Sequence, residues 1–396
     1  MENQVKVAVV RDSRRRAAVA QALALVADDI RDRISPRVLL KPNIVSHERQ
    51  PASTHVDAFS ATLDALFAAG AREVVVAEGA SDASAAFDRF GLRREASGRP
   101  VRFLDLNRDE TDWIPLELID SDGIATREAR VSRTVVEADC RVSLALAKTH
   151  VTTGVTLGIK NMLSSVHPDD RVMMHGSARG GNGYSGWRKL VVNWLKGDSL
   201  AVNSATRTMG RVRNVLAFLS RKHGPNGWNK LSKRDLAFLR SVAAMHRNLV
   251  ALSSLVKPNL TVIDAHKAMH GEGPRHGTPI RLNVAIAGTD AVAVDSVAAN
   301  LLGFAPRSIG FLVLAERAGL GVADLDAIAI VGDALNDVRK ACRPHSNHHV
   351  QRHWDRLILP NNAVVPAPHA SLRREGFAVG PPNLDRQEHR HEIHRT

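Results

Sequence analysis

Cysteine is nearly absent from this 396-residue chain, with Cys140 and Cys342 the only two. Two thiolates cannot build a four-cysteine iron–sulfur cluster, and no cysteine/histidine spacing resembles a zinc site. Cys140 lies beside a strand-like segment and reads as a small core residue. Cys342 falls in a polar, basic stretch, and a reducing cytoplasm fits both. Long apolar runs are missing too: none approaches the roughly 18 residues of a membrane span. Met1-Glu2-Asn3-Gln4 leads straight into the strand-like Val5 to Val10 and not into a signal peptide. Neither a Walker loop nor a dinucleotide-binding glycine fingerprint occurs. These absences set aside a self-contained iron–sulfur protein, a structural zinc module, a membrane helix and the common nucleotide loops.

Acidic residues are scarce in one window. Residues 177–250 hold fourteen Lys/Arg against only Asp198 and Asp235, so this window carries +12 of the formal net charge of +13. The remainder is close to neutral, and the window reads as a separable basic, mainly helical insertion with its own partner. Within it, Gly180-Gly181-Asn182-Gly183-Tyr184-Ser185-Gly186 suits a hinge. Helical patterning follows in Thr206 to Arg221 and Ser232 to Leu255, where Ser232 with Asp235 resembles a capping box. Trp187, Trp194 and Trp228 could stack on bases, sit at a lipid interface, or pin the insertion to the body. The partners open to it are nucleic acid, a membrane surface, or a small anion closed over by a lid.

With 44% hydrophobic residues the chain is long enough for one large or two modest cores. Val5 to Val10, Val38 to Leu40, Val74 to Ala77, Val101 to Leu106 and Val142 to Ala147 read as strands. Ala17 to Val26 and Val56 to Ala69 read as amphipathic helices between them. After the insertion, Leu260 to Ile263, Val284 to Ala287 and Ile328 to Val331 read as strands and Val292 to Leu302 as a helix. The alternation predicts an α/β fold, a largely parallel sheet covered by helices. It divides into an N-terminal α/β half (1–176), the insertion (177–250), a C-terminal α/β half (251–335) and a polar, flexible tail (336–396). In the tail only Trp354 to Leu359 looks able to dock, and its histidines, His345 to His353 and His389 to His394, could capture metal adventitiously.

The most informative stretch is Lys148-Thr149-His150, followed by Thr153-Gly154-Val155-Thr156-Leu157-Gly158 and Ile159-Lys160-Asn161. It sets two amines and an imidazole at the end of a buried strand, where open α/β sheets gather their sites. Lys148, His150 and Lys160 are the catalytic candidates. Lys160 could clamp phosphate or, once desolvated, act as an amine reactive near neutral pH, and His150 titrates where a general acid/base must. Gly154, Thr156, Gly158 and Asn161 supply close backbone approach and polar groups for a ligand. Lys41 and Asn43 of Leu40-Lys41-Pro42-Asn43 follow a strand directly and are expected at the same edge. Asp264, Glu272, Asp290 and Asp295 at strand ends offer oxygen ligands for a divalent cation or could orient basic catalytic groups; alternatively Asp290 caps a helix and Asp295 is a buried partner for a turn.

Lys148 to Asn161 resembles the signature of the domain-of-unknown-function family numbered 362. Leu40-Lys41-Pro42-Asn43-Ile44-Val45, Val74 to Gly79, Val262-Ile263-Asp264-Ala265, Gly271-Glu272-Gly273-Pro274 and Ala287 to Asp295 agree with it. The resemblance runs from about Val5 to Asp333 and lapses near residues 177–245. Many members carry ferredoxin-like cysteine clusters, a pattern from which this chain departs. A shorter stretch, His150 through Gly154 and Gly158 to Lys160, is similar to part of the lactate racemase family. That resemblance implies Lys160 as the amine bearing a nickel-pincer nucleotide, His150 as a proton-transfer base and His175 as a metal-facing histidine. The racemases' further Gly-Xaa-His-Arg-like motif is replaced here by Ala77-Glu78-Gly79-Ala80, which points to a shared scaffold before a shared reaction.

The expectation is a cytoplasmic, isomerase-like enzyme moving a proton on a small anionic substrate in a Lys/His-lined cleft. Its cofactor is left open between a divalent metal and a nucleotide-derived group. The alternative is a non-catalytic accessory protein holding an anion, nucleic acid or a membrane surface through residues 177–250.

Overall fold

The computed structural model describes residues 4–80, 82–109, 112–126, 128–177 and 231–357. In chain order the elements that matter here are β1 (Val5–Arg11), α1 (Arg15–Leu25), β2 (Arg37–Pro42), α2 (Val56–Ala68), β3 (Glu73–Glu78) and β4 (Val101–Asp105). There follow β5 (Trp113–Leu116), β6 (Ala129–Ser132), β7 (Cys140–His150), β8 (Gly154–Thr156) and the single turn α3 (Gly158–Asn161). Beyond the window come α4 (Lys233–Val256), β9 (Leu260–His270), β10 (Thr278–Gly288), α5 (Ala291–Leu301), α6 (Gly310–Arg317) and β11 (Ile328–Gly332).

One mixed sheet runs β11-β1-β10-β9-β7-β2-β3-β4, with β8 folded back antiparallel on β7. The Val/Ile/Leu-rich runs Val38-Leu39-Leu40, Val74-Val75-Val76 and the buried stretch of β7 pair parallel, as strands covered on both faces do. One core layer joins α1 and α2 to Val38, Leu40, Val74, Val76, Val142 and Val262. The other joins α4, α5 and α6 to Val7, Leu39, Ala145, Ile263 and Ile286. The alternation along each strand sends successive side chains to opposite layers.

The reversed strand of the main path is β10, which forms a long antiparallel pair with β9. A register shift between Arg281 and Val284 accompanies Asn283 at φ 60°, a bulge that bends the pair. Every other strand on the path points the same way, so the carboxyl ends of β1, β2, β3, β7 and β9 share an edge. β5 and β6 make a separate antiparallel ribbon.

The capping box holds: the Ser232 hydroxyl accepts from Asp235 N and the Asp235 carboxylate accepts from Ser232 N. The glycine hinge, the helix over Thr206 to Arg221 and Trp187, Trp194 and Trp228 lie outside the described residues. Residues 336–357 pack on the body even though their composition is polar. Val338, Cys342, Val350 and Trp354 are buried there, and the backbone is tied down by Lys340 N to Leu301 O and Cys342 N to Leu302 O, each 2.9 Å.

Candidate functional site

The carboxyl edge of the sheet gathers three amines. Lys41, at the end of β2, is fully buried and pairs with Glu78 at the end of β3, Nζ to Oε1 at 2.9 Å. Glu78 is a hub: it accepts from Gly79 N at 2.7 Å, Ala80 N at 3.0 Å and Ile44 N at 3.0 Å, and from the Ser164 hydroxyl. Burial lowers the Lys41 amine and the Glu78 charge opposes that fall. The adjacent Arg171 donates to the carbonyls of Val166 and Ser164, and burial brings it down to about 10.

Lys148, on β7, is equally buried and donates to Asn43 Oδ1 and, at 2.8 Å, to the Ala52 carbonyl. Both partners are neutral. Desolvation, followed by the Lys160 charge, lowers Lys148 to about 7, because neither contact repays the loss of water around an ammonium. Asn43 in turn donates to Asn161 Oδ1 at 2.8 Å, and Asn161 Nδ2 reaches Lys41 O and Ser143 Oγ, both at 3.0 Å. The two asparagines therefore bolt the Lys-Pro-Asn turn to α3.

Lys160 differs from the other two. It is half-buried, and among the described residues no hydrogen bond or ion pair reaches its Nζ. Desolvation alone brings it to about 8. His150, at the end of β7, accepts at Nδ1 from Thr152 N at 3.0 Å and Thr153 N at 3.2 Å. The neutral ring therefore carries its proton on Nε2. Burial, then the positive charges of Lys160, His175, His345 and Lys148, hold His150 well below the ordinary imidazole value. At neutral pH this side chain is an N–H donor before it is a base.

The structure thus brings Lys41, Asn43, Lys148, His150, Lys160 and Asn161 together, with His175 and His345 close enough to act on His150 electrostatically. The other three candidates, Gly154, Thr156 and Gly158, lie on β8 and at the start of α3. Gly154 sits at φ +80° at the start of β8, a left-handed conformation that favours glycine. The Thr156 hydroxyl is buried without a hydrogen-bond partner among the described residues. Gly158 lets its backbone approach β9, since a Cβ there would stand 2.3 Å from Thr261 Cγ2.

The acidic candidates do not meet at one point. Asp264 faces Arg15, 3.2 Å away, and accepts from His266 N. Asp290 caps α5 through Val292 N and Ala293 N, both at 2.9 Å. Asp295 accepts from Gly158 N and Ile159 N, and burial pushes it up to about 7 against the pull of those two bonds. Among the described residues no three His, Cys, Asp or Glu side chains stand where they could share an ion. His175, Asp264, Asp290 and Asp295 therefore do not fit a common metal, and the donor set for a metal-bearing nucleotide on Lys160 is not assembled from them. Cys140 and Cys342 are free thiols buried in different core layers.

Sequence reasoning overlooked Glu78, Ser143, Ser164, Arg171 and the strap 343–354. A carboxylate closing the apolar run Val74-Val75-Val76-Ala77 was the available signal for Glu78. In the strap, Gln351 Nε2 donates to His150 O at 2.9 Å and Val151 O at 2.6 Å, and His345 Nε2 lies 3.2 Å from Glu272 Oε2. Concavities of about 510 and 420 Å³ meet at Gly332 and Asp333 beside β11. They lie four strands from β7, roughly 19 Å at the usual strand spacing.

Fold and site define an α/β protein with a cluster of buried amines at the carboxyl edge of its sheet. The chain belongs to the family described as Domain of unknown function (DUF362), whose model matches residues 38–300. A thylakoid-associated protein of Synechocystis sp., sll1697, is 33% identical over 72 residues, 18% of this chain and 22% of that protein. The lactate racemase apoprotein of Thermoanaerobacterium thermosaccharolyticum superposes at a TM-score of 0.36 and 13% identity, over 72% of this chain and 54% of the racemase. A Thermotoga maritima protein gives 0.34 and 10%, over 70% of this chain and 56% of its own. The chain thus spans just over half the length of these two structures and about a fifth of the thylakoid-associated protein.

Proposed function

We propose that this chain is an enzyme that binds a small anionic substrate beside Lys160 and moves a proton on it, in the manner of an isomerase or racemase. One observation carries the reading: Lys160 presents a half-buried amine without a partner among the described residues, beside the neutral imidazole of His150. An amine at about 8 is roughly one-quarter unprotonated at pH 7.5, against about one in a thousand for an ordinary lysine. Lys160 is then the base, and His150 Nε2–H the donor to a substrate oxygen on which charge develops. The positive charge of Arg275, which acts on this edge, favours a carboxylate or phosphate on the substrate.

The test is carbon–hydrogen exchange. The protein is incubated in D2O with a panel of small 2-hydroxy-, 2-amino- and 2-oxo-carboxylates and sugar phosphates, and loss of the C–H resonance is followed by NMR. At least one compound exchanges with the wild type and not with Lys160→Ala. A panel that is inert, or that exchanges equally with both proteins, refutes the reading.

No described helix is long and apolar enough to cross a membrane, and the two buried free thiols suit a reducing compartment; cytoplasmic placement is part of the proposal. A second reading rests on the +12 of residues 177–250: an accessory protein that holds nucleic acid or an anionic membrane surface, the edge cluster serving stability alone.

A further inference from the structure

Asp295 lies inside α5, fully buried, and both its oxygens are committed to one short turn. Oδ1 accepts Gly158 N at 2.7 Å and Oδ2 accepts Ile159 N at 2.9 Å. These are opening N–H groups of α3, which a four-residue turn cannot satisfy internally. The other side of the turn is also held. Ser143 Oγ donates to Gly158 O at 3.0 Å, Asn161 N donates to Leu157 O at 3.0 Å, and the Asn161 carboxamide is tied to Lys41 and Ser143. Residues 158, 159 and 161 are therefore pinned, while the side chain between them, Lys160, has no hydrogen bond or ion pair among the described residues to fix it. A Cβ at Gly158 would stand 3.0 Å from Asp295 Oδ1 as well as against Thr261, so the fit between turn and carboxylate is close on both sides.

We propose that Asp295 is a positioning residue for Lys160: its carboxylate fastens the Gly158 and Ile159 amides to α5 and so fixes where the Lys160 amine stands. The assignment rests on Lys160 being the working amine, but its test needs no substrate and can fail separately from the exchange experiment.

Reductive methylation with formaldehyde and borane over pH 6.5–10, read by peptide mass spectrometry, gives the pH midpoint of labelling at Lys160. Lys6, whose side chain is 47% exposed, is the internal reference. In the wild type the Lys160 midpoint lies below that of Lys6. In Asp295→Asn one amide meets the carboxamide NH2, the turn is released, and solvent reaches the amine. The Lys160 midpoint then moves towards Lys6 by at least about one pH unit, with Lys6 unmoved. An unshifted midpoint in a folded variant overturns the proposal. Should the variant not fold, hydrogen exchange of the wild type decides: amides of Gly158 and Ile159 as protected as those inside α5 support it, and exchange at the rate of a free loop overturns it.

Discussion

Lys148→Met should flatten the pH dependence of stability, because this amine is fully buried on two neutral acceptors. Its folded value is about 7 and its ordinary value 10.5. Between those limits the unfolded chain holds a proton that the folded protein has released. Where the unfolded state binds more protons, unfolding free energy rises with pH. The wild type therefore gains stability from this group as pH climbs from 7 towards 10.5, and is penalised in full below 7. The limiting slope is about 1.4 kcal/mol per pH unit for one proton, and since it develops only above the folded value, the gain from pH 7 to pH 9 is about 2 kcal/mol.

Methionine keeps the length of the side chain without the charge. It leaves Asn43 Oδ1 and Ala52 O without this donor, at a cost of about 1–3 kcal/mol that does not vary with pH. His150 titrates lower: burial holds its folded value below the ordinary 6.5, so its contribution grows with pH only up to that point and is common to both proteins. Urea unfolding followed by tryptophan fluorescence at pH 7, 8 and 9 gives the two profiles. The wild type should gain about 2 kcal/mol on the variant across that range. Parallel profiles would mean that Lys148 titrates normally in the fold, and the account of neutral-contact burial would be refuted.

The remaining expectations are independent of that one. Glu78→Gln leaves the buried Lys41 ammonium uncompensated and should cost about 3–5 kcal/mol in the same urea experiment; adding Lys41→Met should recover much of the loss, and no recovery would contradict the pairing. Gln351→Ala removes both bonds to the His150 and Val151 carbonyls; a loss of about 1–3 kcal/mol with faster amide exchange over residues 150–154 is expected, and unchanged exchange there would show that the strap does not hold the turn. Proton exchange on a responsive substrate should rise with pH through about 8, the value of Lys160, because only the free amine accepts a proton; a rate falling over that interval contradicts Lys160 as base. If the basic window gates a small-molecule site, filter binding of single- or double-stranded DNA should be weak even at low salt. Tight binding that survives near-physiological salt would favour the accessory reading.

The site was legible wherever a residue's neighbours in sequence determine its place. Lys41 and Lys148 each close an apolar run, as the overlooked Glu78 also does, and parallel pairing delivers the ends of such runs to one edge whatever the order of strands. Ser232 and Asp235 were legible for the same local reason, since a capping box is made within one turn. Partnerships were not legible, because they depend on which strands become neighbours. That Lys41 meets Glu78 follows from β2 lying beside β3, and that Asp264 meets Arg15 follows from α1 covering the layer that Asp264 faces. β5, interrupted by Pro115, and β6, only four residues long, carry too little periodicity to stand out.

The tail shows most clearly why composition misleads. Residues 336–357 are rich in Arg, His and Asn, and no helical or strand period marks them. They are nevertheless held, because the β7–β8 turn exposes carbonyls at His150 and Val151 that a glutamine can satisfy, and the hairpin between β9 and β10 offers Glu272 to Ser346 and His345. Buried backbone carbonyls need donors, and a polar segment passing over a sheet edge can supply them with no apolar signature of its own. The family model ends at residue 300, whereas the bonds to the His150 and Val151 carbonyls come from Gln351. In this chain the strap completes hydrogen bonds that residues 38–300 leave open, so the surroundings of His150 extend beyond the segment the family model matches.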